Sequence, residues 1–280
     1  MREIPYTDIV DAVRMLCIQA NTMLSPDLRQ AIRRAGVTEA ASVGRAILRD
    51  IKQNFTFAAQ QGLPICQDTG MAVVFAELGQ KARITGGLLA DAVNKGVAKG
   101  YVEGNLRCSV VADPLRRVNT EDNTPAILHL RLVEGNTLRL TVAPKGFGSE
   151  NMTALRMFRP SASREDVLDF LTETVAQAGS NPCPPVIVGV GLGGTSEYAA
   201  LLAKQALLQP VDGCHPDPYY AEMEAEALAR INALGIGPQG LGGTTTALRV
   251  SILTYPTHIA GLPCCVNLGC HVTRHASMVL

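Results

Sequence analysis

Tryptophan is absent from the sequence, aromatics make up only 4% of it, and no apolar run approaches the roughly 20 residues that a membrane-spanning helix needs. The N-terminus, MREIPYTDIV, lacks the apolar core of a secretion signal. A surplus of charge is missing as well: 25 basic and 25 acidic residues cancel, which removes the broad positive field that nucleic acid or an anionic membrane would require. These absences point to a cytoplasmic protein and leave open a small, locally charged ligand. No C-x-x-C pair occurs, which argues against a zinc ribbon and against a thioredoxin-type redox motif.

What is present is enough for a large core, 280 residues of which 47% are hydrophobic. Eight cysteines, Cys17, Cys66, Cys108, Cys183, Cys214, Cys264, Cys265 and Cys270, stand in a chain without an export signal. A disulfide framework does not suit a reducing compartment, so some of them are expected to serve as thiols.

The first sixty residues read as helices. YTDIVDAVRMLCIQANTML repeats apolar residues every three to four positions, Ser25-Pro26 suits a cap followed by a first-turn proline, and Thr38 is expected to cap TEAASVGRAILRDIKQNF. MAVVFAEL then reads as a strand and GLLADAVNKGVAKGY as a helix. AILHLRLVEGNTLRLTVAP alternates around Glu134-Gly135-Asn136 as a hairpin should. Further on, SREDVLDFLTETVAQAG is helical with a Ser-x-x-Asp start, PPVIVGVG is a buried strand, SEYAALLAKQALL is a helix, and YYAEMEAEALARINALG is a helix that ends at a glycine. The last segment combines a Gly/Thr-rich loop with two apolar strands. The fold class expected is α+β (mixed α/β): a helical segment over residues 1–60, then a mixed-sheet core, in one domain over residues 1–280. No internal repeat is visible.

Several motifs invite chemistry. Gly189-Val190-Gly191-Leu192-Gly193-Gly194 satisfies G-x-G-x-x-G between a strand and a helix, but the acid at the right distance, Asp212, follows the poor strand LLQPVD. Glycines that admit another ligand's approach, or that pack the turn, are the better reading of that motif. In CCVNLGCHVTRH, Cys265, Cys270, His271 and His275 offer zinc-type donors at a spacing that fits no familiar finger. Cys17, Cys108, Cys264 and Cys265 read as small core hydrophobes. Cys66 in PICQDTG, Cys183 in NPCPP and Cys270 in NLGCH share a different context, each in a loop-like segment beside a strand. Wide separation is compatible with an iron–sulfur cluster, although spacing alone does not select these three from eight.

Taken together, PICQDTG, LRCSVVADPLRRVNTEDNTPA, PKGFGSENMTAL, NPCPPVIVGVGLGGTSEYAALLAKQALL, GIGPQGLGGTTTAL and YPTHIAGLPCCVNLGCH resemble the N-terminal, or alpha-subunit, domain of iron–sulfur class I fumarases and tartrate dehydratases. NTEDNTPA and PKGFGSENM are more similar to the fumarase branch. The resemblance implies a [4Fe–4S] cluster on Cys66, Cys183 and Cys270, with Gln67 and Asp68 beside its open iron. It also implies that Arg107 grips a substrate carboxylate, that His258 pairs with Asp68 in moving a proton, and that Lys145 and Gly146 help to receive a second carboxylate. Single-chain members continue into a second domain that carries a threonine proposed as the catalytic base. The resemblance therefore implies an alpha subunit that works with a separate beta subunit, as α2β2, on a small dicarboxylate, with fumarate and malate first and tartrate or mesaconate as alternatives. A non-catalytic zinc or cluster-sensing module is the competing class.

Overall fold

In the computed structural model, which describes residues 1–280, the chain forms two compact units. One comprises Met1–Leu24, Phe55–Phe147 and Arg274–Leu280, the other Ser25–Asn54 and Gly148–Thr273. In chain order, β1 (Arg2–Pro5), α1 (Tyr6–Thr22), α2 (Pro26–Thr38) and α3 (Ser42–Gln61) lead into β2 (Met71–Gly79), β3 (Ala82–Thr85) and α4 (Leu89–Glu103). β4 (Ile127–Val133), β5 (Leu138–Lys145), the one-turn α5 (Phe147–Glu150), β6 (Ala154–Phe158) and α6 (Arg164–Ala178) follow. The chain ends with β7 (Val186–Gly193), α7 (Ser196–Ala206), α8 (Pro218–Ala233), β8 (Ala247–Tyr255), β9 (Leu262–Gly269) and β10 (Ala276–Val279). The class is mixed α/β, as the patterning predicts, and no helix is long and apolar enough to cross a membrane.

In the first unit, α1 buries Ile9, Val13, Leu16, Cys17 and Ala20, a stripe at helical spacing, against α4 and the sheet. Two glycines of α4 allow the close approach. A Cβ on Gly96 would stand 2.6 Å from the Val13 Cβ, and one on Gly100 would stand 2.8 Å from the Cys17 Cβ. The sheet behind them has the order β10-β5-β2-β4.

Two expectations are corrected here. Thr38 is the last residue of α2, not a cap, and its hydroxyl donates back to the Arg34 carbonyl. The neighbouring Glu39 takes over at the next helix, where its carboxylate accepts from the Ala41 N–H. The expected hairpin also dissolves, because β4 and β5 flank β2 instead of pairing with each other. β2 is apolar on both faces and buried along most of its length, so it needs a neighbour on each side. The turn from Glu134 to Thr137 folds over the end of β2, with Gln80 N–H on the Val133 carbonyl and Lys81 N–H on the Gly135 carbonyl.

The second unit repeats this plan, in the order β6-β9-β7-β8. β7, like β2, runs parallel to one neighbour and antiparallel to the other. In both, the chain leaves the strand antiparallel to the middle one and crosses over: after β5 it supplies β6 to the second sheet, and after β9 it supplies β10 to the first. The repetition lies in topology and leaves no readable mark in the residues. The G-x-G-x-x-G stretch belongs to β7 and serves packing. A Cβ on Gly191 would meet the Ala199 carbonyl of α7 at 2.0 Å, and one on Gly193, at φ +95°, would meet the Tyr255 carbonyl at 1.9 Å.

Candidate active site

Cys66, Gln67, Asp68, Thr69 and Gly70 have no regular secondary structure, and side chains hold them in place. The half-buried Asp68 carboxylate accepts from the Gly70 N–H (3.1 Å to Oδ1) and from the Phe147 N–H (2.9 Å to Oδ2). Gly146 permits the second bond, because a Cβ there would press to 2.9 Å from Oδ2. Gly70 sits at φ +73° with the Lys145 backbone only 2.7 Å or less from where its Cβ would be, so only glycine fits the turn. Lys145 itself is buried. Gln67 is exposed, with its Oε1 3.8 Å from the Cys66 Sγ.

Arg107 joins this loop through its backbone. The Thr69 hydroxyl accepts from the Arg107 N–H (2.9 Å) and donates to the Arg107 carbonyl (3.1 Å), while the Arg107 side chain is exposed. The loop's own carbonyls point inward to buried donors. Tyr101 Oη lies 2.8 Å from the Thr69 carbonyl and 3.0 Å from that of Gly70. Asn123 Nδ2 donates to the Gly70 carbonyl (3.0 Å), and a guanidinium N–H of Arg274 donates to that of Asp68. Thr69, Tyr101, Asn123 and Arg274 escape sequence reading. The one legible signal is Tyr101, whose hydroxyl on the apolar face of a helix requires a partner.

The second unit holds the other two loop cysteines. Cys183 is exposed, at φ +53°, a left-handed conformation uncommon outside glycine. Its carbonyl accepts from the His271 N–H (3.3 Å), which brings the segment of half-buried Cys270 beside it. Gln239 N–H and Nε2 both donate to the Pro184 carbonyl at 2.8 Å and brace the same place. His258 lies in an exposed loop, where its Nδ1 accepts from the Ala260 N–H (3.1 Å). That bond leaves Nε2 as the N–H donor of a neutral ring.

None of the eight cysteines forms a disulfide, and burial sorts them. Burial pushes the thiols of Cys17 and Cys264 up to about 12 and that of Cys265, beside Glu150, up to about 11. Cys108 is pushed up as well, by burial and then by Asp122, and packs half-buried against the first core. Cys17, Cys264 and Cys265 are shut off from solvent, and Cys265 is one of the zinc-type donors. Five cysteines keep some exposure, Cys66, Cys108, Cys183, Cys214 and Cys270, and three of them are the loop cysteines. Within neither unit do three or more His, Cys, Asp or Glu side chains gather to hold a single metal ion.

Residues 10–279 match the family model described as fumarate hydratase (Fumerase). A protein of Methanocaldococcus jannaschii named putative L(+)-tartrate dehydratase subunit alpha is 37% identical over 274 residues, covering 96% of each chain. L(+)-tartrate dehydratase subunit alpha of Escherichia coli O157:H7 is 28% identical over 276 residues, covering 97% of this chain and 90% of the relative. With nearly its whole length matched, the chain belongs to the fumarate hydratase (Fumerase) family.

Proposed function

We propose that the chain is the alpha subunit of a hydro-lyase that removes water reversibly from a 2-hydroxy dicarboxylate, together with a separate beta subunit in an α2β2 assembly in a reducing, cytoplasmic setting. Hydro-lyase chemistry follows from the family, and a partner follows from the designation of the relatives as alpha subunits. One observation carries the site: a carboxylate, Asp68, is held by two backbone N–H groups in the loop that also bears Cys66 and Gln67 and is bolted to Arg107.

In this reading Cys66, Cys183 and Cys270 hold a [4Fe–4S] cluster. Once bound, it supplies a Lewis-acidic iron that makes hydroxide a better leaving group. Arg107, an exposed guanidinium at the loop, grips one substrate carboxylate in a bidentate fork. Lys145 and Gly146 line the reception of the second. Asp68 and His258 handle the proton: His258 offers Nε2, and Asp68 a carboxylate fixed by two backbone N–H groups. The substrate loses a C–H proton and a C–OH hydroxide, and no electrons change hands.

Fumarate and malate are the first substrate pair, from the motifs NTEDNTPA and PKGFGSENM. L(+)-tartrate is the second, favoured by the names of the relatives. With tartrate the same elimination yields an enol that becomes a 2-oxo acid. The test is anaerobic reconstitution with iron and sulfide, followed by iron, sulfide and zinc analysis, then assay of the chain with its beta subunit on malate and on tartrate. About four irons and four sulfides per chain, with turnover of one of these acids, is the expected result. Zinc without sulfide would overturn the cluster assignment.

A further inference from the structure

Three consecutive carbonyls, those of Asp68, Thr69 and Gly70, each receive a hydrogen bond from a buried side chain: Arg274, Tyr101, and Tyr101 with Asn123. Tyr101 and Asn123 are fully buried, Arg274 is 5% exposed, and Thr69 is 1% exposed. An exposed turn would satisfy its carbonyls with water, and Asp68 already makes the local bond to the Gly70 N–H that closes such a turn. Burying a hydroxyl, an amide and a guanidinium for three loop carbonyls goes beyond what a turn needs, because each is costly when left without a partner.

Thr69 adds a second feature. Its hydroxyl both accepts from and donates to the backbone of one residue, Arg107, and two bonds to one peptide segment fix orientation as well as distance. Asn123 reinforces that segment two residues further on. Its Oδ1 accepts from the N–H groups of Ser109 (2.7 Å) and Val110 (3.2 Å), while its Nδ2 holds Gly70. Two side chains therefore bridge the segments that carry Asp68 and Arg107.

We propose that Thr69, Tyr101 and Asn123 are positioning residues that lock the Asp68 carboxylate and the Arg107 segment into one rigid pair. The proposal rests on the reading above in taking those two residues as working groups. A site of this kind holds its groups to within about 0.5 Å. A displacement of about 1 Å can cost about 100-fold in rate.

The test reads amide hydrogen exchange by NMR in the cluster-free chain, at Gly70 and Phe147, the two N–H groups that hold the Asp68 carboxylate. Val74 and Val142, inside β2 and β5, serve as reference. Thr69→Val, which keeps the shape and loses the hydroxyl, and Tyr101→Phe are expected to speed exchange at Gly70 and Phe147 at least tenfold and leave the reference amides unchanged. Thr69→Ser restores the slow rates. In the assembled enzyme kcat falls 10- to 100-fold in Thr69→Val with a smaller change in KM, and Thr69→Ser recovers it.

Unchanged exchange at Gly70 and Phe147, uniform acceleration across the unit, or undiminished kcat in a loosened variant would each overturn the proposal. If Thr69→Val does not fold, Tyr101→Phe set against Thr69→Ser carries the same comparison. Exchange that responds as expected in a chain without hydro-lyase activity supports the positioning role and overturns the catalytic reading instead.

Discussion

β2 and β7 occupy the same place in their sheets, and each is entered from a loop that carries a cysteine, yet the two loops are held by different means. The loop before β2 hangs from buried side chains that reach its carbonyls, and it presents a carboxylate whose two oxygens are both engaged. The loop before β7 is braced by backbone N–H groups and by Gln239, and it leaves Cys183 exposed in a left-handed conformation. In the proposed function the loop anchored by side chains carries the carboxylate that meets substrate together with Cys66, and the loop braced by backbone carries a thiol alone.

The largest effect should separate those duties. In the assembled enzyme, Asp68→Asn is expected to lower kcat/KM by about 10³-fold, within the range for removing an acid–base group, and to retain iron and sulfide. Cys183→Ser and Cys270→Ser are expected to lose the cluster, while Cys17→Ser keeps it. Kinetics and iron analysis on the same preparations check both. If Asp68→Asn lost its iron, or Cys183→Ser kept a full cluster, the division between the loops would not hold.

A second difference lies in how each unit secures its glycine-rich turn. In the second unit the Gly/Thr loop is pinned by Glu39, 2% exposed, whose carboxylate accepts from the N–H groups of Thr244 (2.8 Å) and Thr245 (2.8 Å). Burial alone would raise its pKa, but these bonds and that from Ala41 outweigh burial and hold the carboxyl at about 2, below its ordinary value near 4.5. A depressed carboxylate contributes stability that is present above its unfolded pKa and is lost as pH falls through the folded one. The second unit should therefore weaken between about pH 4.5 and about 2. Glu39→Gln should cost on the order of 3 kcal/mol at neutral pH, from several weakened charge-assisted bonds, and should flatten that pH dependence. Urea unfolding across pH measures both.

Much of this was legible in the residues, and the gaps have physical causes. Periodicity located α1, α4, α6, α7 and α8 and the apolar strands, because burial on one face or on both writes itself into the pattern. Strand pairing stayed hidden: Glu134-Gly135-Asn136 is good turn chemistry whether the strands beside it pair or straddle a third. The cysteines of the loops stood out by their context. Thr69, Asn123 and Arg274 did not, since a threonine in a turn and an arginine between strands look alike whether they face water or a buried carbonyl.

Helix attachment sharpens the comparison at a smaller scale. In the first unit α4 seats on α1 through Gly96 and Gly100, so Gly100→Ala forces a methyl against the Cys17 Cβ and should cost about 2 kcal/mol. Urea midpoints with the slope unchanged would register that loss, and a neutral result would mean that the helix pair opens without strain.

The smallest effect concerns caps. In the second unit α6 begins with a reciprocal box: Ser163 Oγ accepts from the Asp166 N–H (3.2 Å), and Asp166 Oδ2 accepts from the Ser163 N–H (2.7 Å). In the first unit α4 has Leu88 at its N-cap, in extended conformation, 69% exposed and with no side-chain bond. Ser163→Ala removes the two bonds of its hydroxyl, from the Asp166 N–H and to Asp166 Oδ2, and keeps the third; water can reach the site, so the loss should be about 1 kcal/mol and not the upper end for caps. Leu88→Ser should do the reverse and stabilise by several tenths of a kcal/mol, since the backbone already has the extended form that a capping serine adopts and little buried apolar surface is given up. Opposite shifts in the two units, the loss larger than the gain, read by urea unfolding, would show that their helices differ in means of attachment and not in kind. If Leu88→Ser has no effect, the glycine contact with α1 alone sets where α4 begins.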